Sequence, residues 1–164
     1  MGIWKAWVNF TRKPSVAKFL LNIYPPYLGA GIRVKHISHD FREIIVQMSL
    51  RFFNKNYVGT HFGGSMYAMV DPFYMIMLFM NLGTDYIVWD SAAEIKFLKP
   101  ARGKIKAVFK ITEEDIQKTK KETESGRPYF PVFYVDIVDE SGQVVASVKK
   151  VLYVRKKKSV QKTE

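Results

Sequence analysis

From Asn56 the chain reads Asn-Tyr-Val-Gly-Thr-His-Phe-Gly-Gly-Ser, then five apolar residues, then Asp71 followed by Pro72. Gly63 and Gly64 stand where that apolar run begins. Two glycines at the mouth of a helix let another molecule come close to the backbone. The first amides of a helix are unpaired and carry the positive end of its dipole. A carbonyl oxygen turning into an oxyanion would be stabilised there, and losing one such donor costs about 10²–10³ in turnover. Asp71 is the single acid between Glu43 and Asp85. Burying an acid in so apolar a stretch is costly without a purpose or a partner. Desolvation would raise its pKa, which suits a general base. Aspartate before proline is equally the cap and first residue of a new helix, so both readings stay open on residue chemistry.

Other chemistries find little support. The chain has no cysteine, which excludes disulfides and thiolate catalysis. His36 and His39 with Asp40 can be written as metal ligands, but three histidines in the whole chain and no cysteine make a poor site. A solvated strand end explains them better. Gly64-Ser65-Met66 is no nucleophile elbow, because the glycine two places after the serine is missing. The same loop lacks the Gly-Lys-Ser/Thr ending of a phosphate cradle. The methionines at 66, 69, 75, 77 and 80 read as core fillers, although flexible thioethers also suit an acyl tunnel.

These residues need elements to position them. Val16, Phe19, Leu20 and Ile23 recur at helical spacing behind Pro14, and Pro25 and Pro26 end that helix. Ile44, Val46, Met48 and Leu50 share one face of a strand, with a weaker partner at Ile32, Val34 and His36. Ser65 to Leu82 is the longest candidate helix; it is apolar all round and so expected to be buried, with Gly83 as its stop. Strands follow at 93–97, 105–111, 129–138 and 144–154, the last two joined by a turn at Asp139, Glu140, Ser141 and Gly142. Residues 112–128 read as a long exposed connection. Strands on both sides of one greasy helix are best satisfied by wrapping it. The expected class is α+β, an antiparallel sheet around a central helix.

The segment Asn56 to Asp71 resembles the signature of the phenylacetyl-CoA and 4-hydroxybenzoyl-CoA thioesterase branch of the hotdog superfamily. That branch has an asparagine six residues before a His-Gly-Gly triplet and an acid nine residues after its first position. Asn56, Phe62-Gly63-Gly64 and Asp71 keep both intervals. Ser91 to Pro100, with its Phe97-Leu98-Lys99-Pro100 ending, is similar to the family's third strand. The similarity spans roughly residues 30–154. It implies a hotdog fold with an extra N-terminal helix, and hydrolysis of an acyl thioester. Asp71 would be base or nucleophile, the Gly64 amide the oxyanion donor, and Asn56 the residue orienting water or carbonyl. His61, Phe62 and Gly63 would line the substrate, and Lys99 and Arg102, with Lys96 and Arg127, would reach the phosphates of coenzyme A. Coenzyme A would come only as part of the substrate, with no further cofactor and no metal. In this fold acid and amide usually come from different subunits, which implies a homodimer or homotetramer. Two departures stand out. Phe62 holds the family's histidine position, with His61 one place earlier, and Pro72 should kink the helix by removing the bond to the Ala68 carbonyl. They place the chain nearer the poorly characterised branch of the superfamily.

At 164 residues the chain suits one domain. The expected boundaries are an N-terminal helical segment over 1–29, the hotdog domain over 30–154 and a basic tail over 155–164. Of the net charge of +11, each of the two ends carries +4 and the middle +3. Basic ends attract nucleic acid, anionic lipid or phosphorylated ligands, or simply aid solubility. With no aromatic-basic nucleic-acid motif, no secretory signal and no apolar run near 20 residues, the expectation is a cytoplasmic protein without nucleic-acid or membrane partners. Three rival functions remain: a dehydratase or hydratase on acyl thioesters, a non-catalytic acyl-CoA or lipid-binding module, and an oligonucleotide binder.

Overall fold

The alternation read along residues 44–50 becomes strand β2, and its partner rows show why. A computed structural model describes residues 13–157. β2 (Glu43–Ser49) and β4 (Lys104–Lys110) run antiparallel with Ile44 opposite Phe109, Val46 opposite Ala107 and Met48 opposite Ile105. All six side chains are essentially buried, so one face of this pair is a continuous apolar row. β1 (Ile32–Ile37) extends the row by setting Ile32 against Met48 and Val34 against Val46. β5 (Val132–Val138), β6 (Val144–Lys156) and β3 (Tyr86–Phe97) complete one antiparallel sheet in the order β1-β2-β4-β5-β6-β3. The β5–β6 turn is the hairpin expected at 139–142. The Asp139 carboxylate accepts from the Ser141 and Gln143 amides, and Gly142 takes φ 82°.

The central helical segment fills the hollow of the sheet. α3 (Gly63–Ala68) and α4 (Phe73–Leu82) follow α1 (Pro14–Ile23) and α2 (Pro25–Ala30). Phe73 and Tyr74 of α4 meet Phe109 of β4 at ring-centroid distances of 4.9 and 5.3 Å, and Tyr74 stacks on Phe133 of β5 at 4.6 Å. Gly83 ends α4 at φ 86°, as its position suggested. This is a hotdog fold: one curled antiparallel sheet around a buried helical segment, with an N-terminal helix outside it. Among the described residues no helix is long and apolar enough to cross a membrane.

Three sequence expectations need correction. The helix read over 65–82 is broken, with α3 ending at Ala68 and α4 starting at Phe73, and the Asp71–Pro72 peptide bond is cis. Proline's missing N–H and fixed ring make a continuous helix untenable there, so the kink expected at Pro72 is a full interruption. The connection at 112–128 contains a helix, α5 (Glu113–Glu122), capped by Thr112 and Asp115, each bonding the other's backbone amide. Pro25 and Pro26 end α1 as expected, but they also begin α2.

Candidate functional site

Asp71 lies in the break between α3 and α4, and its carboxylate does not cap α4. Pro72 is the N-cap there, and among the described residues no side chain caps the helix. The carboxylate instead reaches the sheet, where Oδ1 accepts from Lys150 Nζ at 2.7 Å. Lys150 stands on the inward face of β6 in phase with Val148, Leu152 and Val154, and it is fully buried. A second acid, Asp90 of β3, makes an ion pair with the same ammonium at 3.0 Å, without the alignment of a hydrogen bond. The Tyr67 hydroxyl of α3 lies 3.4 Å from Nζ, and its ring centroid 5.2 Å away.

Burial works against the Lys150 ammonium, but the Asp71 hydrogen bond and the close negative charges of Asp71 and Asp90 outweigh it and hold its pKa above the ordinary lysine value. Asp90 goes the other way for a carboxylate. Burial raises its pKa first and the Asp71 charge adds to that, against the pull of Lys150. The Asp71 side chain is 42% exposed. The acid expected to sit desolvated and alone is therefore open to solvent and salt-bridged. Its backbone is held as well: the hydroxyl of Tyr27, a buried residue of α2, donates to the Asp71 carbonyl.

The remaining expected residues gather elsewhere. Asn56, His61 and Gly63 line a cleft of about 440 Å³ with Phe97, Leu98 and Lys99. Within it Asn56 is a brace for its own loop. Its Oδ1 accepts from the Val58 and Thr60 amides at 3.0 Å each, and its Nδ2 donates to Thr60 Oγ1 at 2.8 Å and to the His61 carbonyl at 3.2 Å. His61 is buried, with Nε2 3.0 Å from the Gly103 carbonyl and Nδ1 without a hydrogen-bond partner. Burial lowers its pKa, the Gly103 contact opposing in part. Phe62 is the N-cap residue of α3 and more than half exposed. Gly63 and Gly64 open α3, and a Cβ added at Gly63 would lie 2.9 Å from the Phe97 ring. Arg102 points a guanidinium at the Gly59 carbonyl, at 3.5 Å, and lies outside the cleft lining, as does Arg127 in the loop after α5. Lys96 pairs with Glu94 at 3.5 Å. Among the described residues no three acids or histidines converge as a metal site.

Eight residues of mostly helical chain, on the order of 12 Å, separate the Gly63 amide from Asp71. Asp71 and the Gly63 cleft thus sit at opposite ends of α3, with Asp71 absent from the cleft lining. Sequence reasoning missed Lys150 and Asp90 altogether. The available signal was Lys150 falling in phase with three apolar core residues of β6, where a lysine must have an acid partner.

A curled antiparallel sheet around a central helical segment is the arrangement of a hotdog-fold protein. Residues 12–154 match the family described as a domain of unknown function, DUF4442, and the chain belongs to that family. No curated protein matches it. Among solved structures it is similar to a probable thioesterase of Pseudomonas aeruginosa, at 18% identity and a TM-score of 0.77 over 88% of this chain and 99% of that one. It is similar also to a Haemophilus influenzae thioesterase at 17% identity and TM-score 0.66, covering 88% of this chain and 91% of that one. The phenylacetic acid degradation protein PaaI of Thermus thermophilus follows at 18% identity and TM-score 0.55, over 79% and 98% of the two chains. At such identities the likeness is one of fold.

Proposed function

We propose that the protein hydrolyses an acyl thioester, with acyl-CoA as substrate, at a site completed by two copies of the chain. The observation that carries this reading is the state of Asp71. Its carboxylate is accessible, one oxygen is fixed by a buried ammonium, and Oδ2 meets no donor among the described residues. That is a partly exposed acceptor at a helix break, suited to activate water or to attack a carbonyl carbon. The polarising donor is the Gly64 amide of the other copy, supported by the cleft that Asn56, His61 and Gly63 build at the mouth of α3, with Phe62 beside it as the N-cap residue. Lys99, in that cleft, and Arg102, beside it, supply positive charge for the phosphates of coenzyme A.

The two-copy reading rests on β3. Among the described residues it is the last strand of the sheet, is 12 residues long and pairs only with β6. Its small exposed residues Ser91, Ala92 and Ala93 leave room for another chain. A long unpaired edge of this kind is a template for strand addition. Pairing β3 antiparallel with its symmetry mate would bring the middle of one strand, where Asp90 lies, toward the Phe97 end of the other, and with it the acid of one copy toward the cleft of the other.

One observation favours a second reading, binding without turnover: Phe62 offers no polar atom where the related thioesterases place a histidine. The test is release of free coenzyme A from short, long and aromatic acyl-CoAs, with Asp71→Asn alongside. Turnover that the variant loses while its fold and assembly persist supports hydrolysis. Tight acyl-CoA binding with no turnover, unchanged in Asp71→Asn, supports the binding module instead.

A further inference from the structure

A lysine on the core face of a strand is retained only if its charge is answered. Lys150 is answered twice, by Asp71 at 2.7 Å and by Asp90 at 3.0 Å. Tyr67 is the remaining polar group against it among the described residues. The two acids approach from different elements, Asp71 from the α3–α4 break and Asp90 from β3, where a bulge interrupts the pairing between Asp90 and Ala92. The partners are unequal. Asp90 is the more buried of the two, its side chain 22% exposed against 42% for Asp71. One ammonium therefore ties an accessible carboxylate to an inner one. Stability alone gives no reason for this design, since a buried ion pair is often matched by apolar residues of similar volume.

We infer that Lys150 is the positioning residue of the Asp71 site: its ammonium fixes one oxygen of the partly exposed carboxylate, and Asp90 anchors that ammonium from β3. The inference rests on the reading that Asp71 acts on the thioester. Lys150 touches no substrate, so it works through Asp71. Its charge also separates the two acids. Without it, two neighbouring carboxylates would share a proton, and the acting group would be partly neutral at working pH.

The test compares Lys150→Met, Lys150→Arg and Asp90→Asn by steady-state kinetics over pH on a substrate the protein turns over. Lys150→Met should lower kcat by about a hundredfold, the loss associated with a misplacement near 1 Å, with KM little changed. Its acid limb should move to higher pH as Asp71 and Asp90 come to share a proton. Asp90→Asn should move the acid limb to lower pH, because Lys150 then serves Asp71 alone. Lys150→Arg should recover much of kcat. A merely structural lysine would not give opposite shifts from the two substitutions. Wild-type kcat and pH profile in Lys150→Met, with Asp71→Asn inactive, would overturn the inference and leave the thioesterase reading standing. If Lys150→Met does not fold, an acid limb unmoved in Asp90→Asn overturns it equally. If the wild-type protein turns over nothing, the thioesterase reading fails on its own. Carboxyl ¹³C titration then decides for Lys150: independent titration of Asp71 and Asp90 in the wild type, but coupled in Lys150→Met, supports the role, and identical curves overturn it.

Discussion

Replacing Tyr27 with phenylalanine removes one oxygen from a side chain that is 2% exposed. Burial first, and then the Asp71 charge, hold the Tyr27 pKa above the ordinary phenol value, so its hydroxyl is a standing donor to the Asp71 carbonyl. The ring keeps its packing against Phe73 at 5.9 Å and Tyr24 at 5.5 Å. What is lost is one hydrogen bond, and a part-buried carbonyl loses its side-chain partner, a cost of about 1–3 kcal/mol. In a chain of this size each kcal/mol lowers Tm by about 2–4 °C, so the expected fall is about 2–12 °C. Tyr74→Phe is a matched control: its hydroxyl donates to the Tyr134 carbonyl at 2.7 Å and its side chain is 3% exposed. Both variants should lose similar stability. Only Tyr27→Phe also frees the residue proposed to carry the acting carboxylate, so its kcat should fall by about tenfold to a hundredfold. Melting curves and acyl-CoA turnover on both proteins decide it. Equal kcat in the two variants would refute the claim that Tyr27 places Asp71.

Stability should fall on mild acidification through His61. Burial depresses its folded-state pKa below the ordinary 6.5, so the stability present above that value is lost as pH falls through the depressed one. Calorimetric Tm between pH 8 and 5 should decline below about 6.5, and His61→Gln should flatten the decline; an unchanged slope would rule His61 out. Gly63→Ala puts a methyl 2.9 Å from the half-exposed Phe97 ring, which can swing aside. Tm should hold within about 2 °C, since surface changes rarely exceed about 0.5 kcal/mol, while KM rises because the displaced ring crosses the cleft. A large fall in Tm with KM unmoved would show that the ring is locked.

Where an apolar row faces the core on one side and water on the other, the sequence was enough. The rows at Ile44, Val46 and Met48 and at Ile105, Ala107 and Phe109 were legible, as were the 139–142 turn and the stop at Gly83. Asp71 was singled out because one acid in an apolar run is conspicuous at any distance. Its partners were not legible, because Lys150 lies 79 residues away and is joined to it only through the folded sheet. β3 was read from Ala93 although it starts at Tyr86, because the bulge at Asp90 and Ala92 breaks the alternation that marks a strand. α5 was hidden by its charge. The signals it did offer were the Thr112 and Asp115 capping pair and the buried Ile116 and Thr119 that face inward.

The two helices described ahead of β1, over residues 14–30, look like an appendage that the sheet could do without. Tyr27 makes them something else: a keystone set from outside the arch, bearing on the backbone of Asp71, the acid of the proposed site. Selection acting on such a protein has a lever that leaves the sheet alone. Altering how α2 leans on the α3–α4 break would retune the acid with every strand, and every inward-facing residue of the core, left in place.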